Sequence, residues 1–208
     1  REAIESGITS LDTAYIYGKG HSEQIVARSI KGYDRSKLTL ITKLWKDWMP
    51  KDLVETACDQ SLKDLDTDYI DVYFIHYPSD TGVPIADTME AMMKLKEKGK
   101  IRCIGVSNFS KDQLIEACKY GQIDVIQPCY SLVWRFLDLE EMDYCIENQI
   151  GVISYCTLAQ GILTGKFNKE TRFPKEDGRS RVPLFQSPYY EGALDVTEKL
   201  RPFAEKYG

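Results

Sequence analysis

The stretch Ile8-Thr9-Ser10-Leu11-Asp12-Thr13-Ala14-Tyr15-Ile16-Tyr17-Gly18 decides the fold, because it sets a pattern that the rest of the chain repeats. A short apolar strand starts at Ile8 and ends abruptly at a carboxylate, Asp12. Tyr17 then stands in a turn opened by Gly18 and Gly20, glycine being the residue that takes positive φ at no steric cost. A phenol and a carboxylate are brought into one loop.

Working outward, the unit of apolar strand, polar loop and amphipathic helix recurs. The chain opens on the tail of a helix that stops at Gly7. A helix near Ser22–Lys31, with Ser22 as its N-cap, follows the first strand. Strands are predicted at Leu38–Lys43, Tyr69–His76, Ile101–Ser107, Asp124–Cys129 and Gly151–Tyr155. Helices are predicted from Pro50 to Leu65, Ile85–Lys98, Ser110–Tyr120, Leu139–Gln149 and Leu194–Tyr207, the last pattern stopping at Gly208.

Strict alternation calls for parallel strands joined by right-handed crossovers, either in an open doubly wound sheet or in a closed (β/α)8 TIM barrel. The polar residues decide between them. Asp12, Lys43, His76, Asn108, Gln127 and Tyr155 each fall at or just beyond the C-terminal end of a different predicted strand. In a barrel those ends converge on one mouth, whereas an open sheet spreads them along an edge. No Gly-x-Gly-x-x-Gly joins a strand to a helix, and the barrel is the expectation. It is expected as one barrel domain over residues 1–208, lacking its first and last strands, so that the sequence reads as a fragment of a longer chain.

Composition bounds the partners. With 43% apolar residues in 208, the chain can bury a full core. A net charge of −5 argues against a nucleic-acid or anionic-membrane surface, and the expected partner is a small molecule. No apolar run approaches the roughly 20 residues that span a bilayer, and no n-region with h-region opens the chain, so no membrane insertion is expected. The six cysteines carry no Cys-x-x-Cys spacing and read as buried thiols of a reduced, cytoplasmic protein. With two histidines, His21 and His76, no metal site is expected.

Lys43 closes the apolar run Leu40-Ile41-Thr42 and is driven toward the barrel interior, where an ammonium needs a carboxylate. Asp12, at the equivalent end of the preceding strand, is that carboxylate. A charged Lys43 beside Tyr17 would lower the phenol's pKa from its ordinary value of about 10. Tyr17 is then a candidate general acid, Lys43 its tuner, Asp12 the anchor of Lys43, and His76 a donor that orients a carbonyl oxygen. The group holds no activated nucleophile. It suits proton movement on a carbonyl or alcohol oxygen, with hydride supplied from elsewhere. Trp45 and Tyr77 lie in loops at the same mouth and are candidate walls of a substrate pocket.

Taken together, these residues resemble the aldo-keto reductase family through nearly the whole chain. The resemblance is carried by Asp12-Thr13-Ala14 with Tyr17-Gly18 and Ser22-Glu23, Thr42-Lys43, Leu62 to Pro78, Gly105 to Phe109, Gln127, and Tyr155 with Leu158 to Lys166. It implies a catalytic tetrad of Asp12, Tyr17, Lys43 and His76, and reduction of aldehydes or ketones by NADP(H) or NAD(H). It also implies that Ser107, Asn108 and Gln127 hold the nicotinamide carboxamide and that Tyr155 stacks on the ring. Leu158, Gln160, Gly161 and Lys166 are implied along the pyrophosphate. The pattern Tyr-x-x-Leu-Ala-Gln-Gly is similar to the branch containing bacterial and plant oxidoreductases and the potassium-channel β subunits. That branch supplies an alternative, a nicotinamide-binding regulatory subunit with a protein partner and little turnover; an inactive truncated relative is a further one. The chain departs from the family in placing Cys156-Thr157, not Ser-Pro, after Tyr155.

Overall fold

The computed structural model describes residues 1–207, the side chains of residues 139 and 140 excepted; Gly208, where the last helical pattern was expected to stop, lies outside the described residues. In chain order the elements are α1 (Glu2–Glu5), β1 (Ser10–Asp12), α2 (His21–Ile30), β2 (Thr39–Leu44), α3 (Lys51–Leu65), β3 (Ile70–Ile75) and α4 (Ile85–Glu97). There follow β4 (Ile101–Ser107), α5 (Lys111–Cys118), β5 (Val125–Gln127), α6 (Phe136–Glu140), α7 (Met142–Glu147), β6 (Gly151–Val152) and α8 (Tyr189–Tyr207).

The six strands form one sheet in the order β1-β2-β3-β4-β5-β6, and every pairing is parallel. A doubly wound sheet reverses its strand order at a switch point, and this one does not. Unreversed parallel order is that of the (β/α)8 class, of which the described residues contribute six strands.

The chain divides into two compact units. The first comprises residues 1–128 and 140–153 and holds the whole sheet. Its central strand, β3, is buried at every position. That explains its near-continuous apolar sequence, since parallel strands are covered on both faces. On one face Ile41, Val72, Phe74 and Val125 pack together. Phe74 lies in register with Lys43 on β2 and Gly105 on β4. Position 105 has to be glycine because a Cβ there would come within 2.5 Å of the Phe74 ring. The apolar faces of α3 and α4 supply further buried residues, among them Val54, Cys58, Leu65, Met89, Met92 and Leu95.

Charge pins the N-terminal end of the sheet. Arg35 donates to Asp71 Oδ2 at 2.7 Å, to the Tyr69 carbonyl at 2.8 Å and to the Leu38 carbonyl at 2.8 Å. The same Asp71 oxygen accepts from the Leu40 backbone N–H at 2.9 Å, and Oδ1 accepts from Arg102 at 3.2 Å. Both guanidiniums lie over the Tyr69 ring, at 4.0 and 3.9 Å from its centroid.

Several predicted boundaries move, each for a local reason. The expected N-cap of α2, Ser22, lies inside the helix; Gly20 is the cap, with φ 89°, and Ser22 Oγ accepts from the Thr13 hydroxyl at 2.7 Å. The predicted helix from Leu139 to Gln149 is two short helices, α6 and α7. The last helix starts earlier than expected, at Tyr189. At Ser110 the prediction holds: its side chain and that of Gln113 cap α5 reciprocally.

The second unit comprises residues 129–139 and the chain from Ser154 onward. Its core is Ala159, Ile162, Leu184, Phe185, Tyr190, Ala193 and Leu194, flanked by Trp134, Phe167 and Phe173. The strands expected at Asp124–Cys129 and Gly151–Tyr155 are shorter than predicted. Their outer ends survive as an isolated parallel bridge between Cys129 and Tyr155 within this unit.

Candidate functional site

At the C-terminal ends of β1 and β2 the sheet places Asp12 and Lys43. Lys43 is 1% exposed, and its Nζ donates to Asp12 Oδ1 and, at 2.8 Å, to the Thr13 carbonyl. Two acceptors offset the cost of taking the ammonium out of water. Its Nζ also lies 5.5 Å from the centroid of the Tyr17 ring. Tyr17 is 46% exposed and packs edge-on against His76, centroids 5.8 Å apart. Phenol, ammonium, carboxylate and imidazole thus meet in one cluster, as the strand-end pattern predicts.

His76, just beyond β3, sits in an aromatic box. Trp45 meets it edge-on at 5.6 Å, and Tyr77 stacks on it at 5.2 Å. Its Nδ1 is buried and has no hydrogen-bond partner among the described residues. Burial, and secondarily the charge of Lys43, push the imidazole's pKa down to about 4. Burial also holds the Lys43 ammonium below the usual lysine value, against the opposing pull of Asp12. At neutral pH His76 is therefore uncharged and acts as a hydrogen-bonding group beside an ammonium.

A pH prediction follows. Folded His76 stays neutral down to about pH 4, whereas in the unfolded chain it takes up a proton below its ordinary value of 6.5. Between those values the unfolded state binds more protons, so His76 costs stability progressively as pH falls from 6.5 to 4. Histidine-labelled NMR, with the resonance assigned through His76→Asn, should show a midpoint near the lower value. A midpoint near the upper one would contradict the burial argument.

From β4 and β5 come Ser107, Asn108 and Gln127. Ser107 Oγ donates to the Gln127 carbonyl at 2.7 Å, and Asn108 Nδ2 donates to Ser107 Oγ and to the His76 carbonyl, each at 3.0 Å. Gln127 Nε2 donates to Asp12 Oδ2 at 2.7 Å. The three residues expected to face a carboxamide are thus wired into the tetrad itself.

In the second unit Tyr155, Cys156, Ala159 and Gln160 line a cavity of about 190 Å³ with Trp134, Leu184 and Phe185. Ala159, Gln160 and Gly161 all take positive φ, at 49°, 50° and 104°. Successive left-handed residues make a tight turn in which the Ala159 and Gly161 N–H groups donate to the Cys156 and Leu158 carbonyls at 2.7 and 3.0 Å. Leu158 and Lys166 are exposed on either side of that turn in sequence. Aromatic walls fit a flat ring, which is the part of the ligand the resemblance places at Tyr155.

Sequence reasoning passed over two features. Glu23 is fully buried and accepts from Thr42 Oγ1 at 2.7 Å, its other oxygen having no partner among the described residues; burial raises its pKa. The signal available was a carboxylate three residues after Gly20, on the inward face of a short helix. The second is the backbone carbonyl of Thr13, which no side-chain pattern announces. Among the described residues no cluster of His, Cys, Asp and Glu could hold a metal, and no helix is long and apolar enough to cross a membrane.

Comparison with known proteins supplies the last observations. The family model described as "Aldo/keto reductase family" matches residues 1–208. The aldo-keto reductase YhdN of Bacillus subtilis (strain 168) is 40% identical over 218 residues, covering 100% of this chain and 66% of its own. The NADH-specific methylglyoxal reductase of Escherichia coli (strain K12) is 32% identical over 227 residues, covering 99% of this chain and 69% of its own. Among solved structures, glycerol dehydrogenase AKR11B4 from Gluconobacter oxydans superposes with a TM-score of 0.90 at 35% identity, over 99% of this chain and 66% of that one. The chain spans about two thirds of the length of the relatives it matches.

Proposed function

The chain belongs to the aldo/keto reductase family, and from that premise we propose that it serves NAD(P)H-dependent reduction of aldehydes or ketones to alcohols. The observation that carries the reading is the buried Lys43, held by Asp12 and the Thr13 carbonyl against the Tyr17 ring and beside a neutral His76. Tyr17 gives its hydroxyl proton to the substrate oxygen as charge develops there. Lys43 stabilises the phenolate that remains, and Asp12 keeps Lys43 in place. His76, uncharged, orients the carbonyl by a hydrogen bond and does not compete for the proton.

In the first unit Ser107, Asn108 and Gln127 would hold the nicotinamide carboxamide. The family resemblance assigns Tyr155 to the ring, and Leu158, Gln160, Gly161 and Lys166 to the pyrophosphate. When bound, the reduced cofactor supplies hydride to the carbonyl carbon. The cofactor is NADP(H), or NAD(H) as the name of the E. coli relative states for that protein. Trp45 and Tyr77 wall the substrate side of His76. The names of the relatives, a methylglyoxal reductase and a glycerol dehydrogenase, support a small oxygenated substrate. All six cysteines are free, which supports a cytoplasmic location.

The test is titration of the intrinsic fluorescence with NADPH and NADH in parallel, followed by methylglyoxal-dependent consumption of whichever binds. Saturable binding with turnover is expected. Saturable binding without turnover on a panel of aldehydes and ketones would sink the enzyme reading in favour of a regulatory one.

A further inference from the structure

Cys129 and Cys156 stand apart from the other cysteines. Cys129 bridges in parallel to Tyr155, and the Tyr130 N–H donates to the Tyr155 carbonyl at 3.2 Å, which fixes the register. Paired strands lie about 4.8 Å apart. Cys156 follows Tyr155 directly, one residue off that register, and a disulfide spans a Cα separation of roughly 4.4–6.8 Å. The left-handed turn at Cys156, φ 54°, takes it out of strand alternation, and its thiol is near enough to Cys129 to help raise that thiol's pKa. Gln160 Nε2 donates to Cys156 Sγ at 3.8 Å. Both thiols line the 190 Å³ cavity and are half-buried, so a small oxidant can reach them.

We propose that Cys129 and Cys156 form a peroxide-responsive pair that closes to a reversible disulfide in the wall of this cavity. The Cys156 sulfur attacks a hydroperoxide, its S–H becoming S–OH as the peroxide O–O bond breaks and water or an alcohol leaves. The Cys129 sulfur then attacks the sulfenic sulfur. An S–S bond forms, the S–O bond breaks, and the thiol proton leaves with the hydroxyl as water. The order follows from the surroundings. An amide donor faces Cys156, whereas burial and the neighbouring Cys156 push the Cys129 thiol up to about 11. Cys129 is thus kept as a thiol beside the sulfur it must resolve.

The link would tie residue 129 to the turn that begins at Tyr155 and stiffen one wall of the cavity. A consequence for nicotinamide binding rests on the function proposed above; the disulfide itself does not. The experiment treats the full chain with hydrogen peroxide, alkylates the remaining thiols under denaturing conditions and maps the peptides by mass spectrometry. Two of the six thiols should resist alkylation, a Cys129–Cys156 peptide should appear, and dithiothreitol should reverse both. In Cys129→Ser the sulfenic acid should persist on Cys156 and be trapped by dimedone. Hyperoxidation of Cys156 with Cys129 still alkylatable, or a mixture of unrelated disulfides, would overturn the pairing.

On the same samples, oxidation should weaken nicotinamide binding about ten-fold, a size ordinary for coupled sites, with recovery on reduction. Absence of binding by the reduced chain would count against the proposed function while the peptide map still decides the disulfide.

Discussion

Tyr17→Phe should lower the turnover of a carbonyl substrate about 10²–10⁴-fold, the range that a positioned general acid supplies, and should leave the dissociation constant of the cofactor within a factor of about two. The substitution keeps the ring. The edge-on packing on His76 and the approach of the Lys43 ammonium to the ring face both survive in phenylalanine. What disappears is the hydroxyl, and with it the proton. Single-turnover measurements separate the chemical step from cofactor release. A loss of less than three-fold would remove Tyr17 from the proposed mechanism. Equal loss of turnover and cofactor affinity would make it a binding residue.

The second large effect lies at the opposite end of the sheet. Asp71→Ala should destabilise the chain by about 3–5 kcal/mol, the cost of breaking a buried ion pair by removing one partner. The carboxylate is only 12% exposed, and it satisfies both the Arg35 guanidinium and the backbone N–H of Leu40, a residue with no exposed surface. The half-exposed Arg102 contributes less, since water replaces its partner. At about 2–4 °C per kcal/mol for chains of this size, the melting temperature should fall by roughly 6–20 °C. Asp71→Asn, which keeps an acceptor for Leu40 but not the charge, should fall between alanine and the parent. Urea unfolding followed by circular dichroism measures both, and a loss below about 1 kcal/mol for alanine would contradict the account.

These two sites differ in how openly the sequence declares them. Lys43 at the end of an apolar run demanded a carboxylate, and Asp12 stood at the matching place one strand earlier, so their meeting was legible from parity and strand order alone. The parallel order of the strands was legible for the same reason. The bond from Gln127 to Asp12 was not, because it joins residues 115 positions apart and depends on the curvature and register of five strands. Ser22 was read as a cap from local chemistry, but inside the helix its hydroxyl accepts from that of Thr13, and Gly20, which takes the left-handed φ without steric cost, is the cap instead.

Strand β3 has a consequence for the chain before it folds. Every residue from Ile70 to Ile75 ends up buried, and Asp71 is the sole charge in that segment. On a ribosome-bound or unfolding chain the segment combines β-propensity with apolar surface, the composition from which cross-β aggregates grow. Asp71 then acts as a gatekeeper, its charge making the stacking of copies in register unfavourable until Arg35 and Leu40 claim it. One carboxylate thus guards the nascent chain against its neighbours and afterwards fastens the finished sheet, so its loss would reach soluble yield in the cell before it reached catalysis.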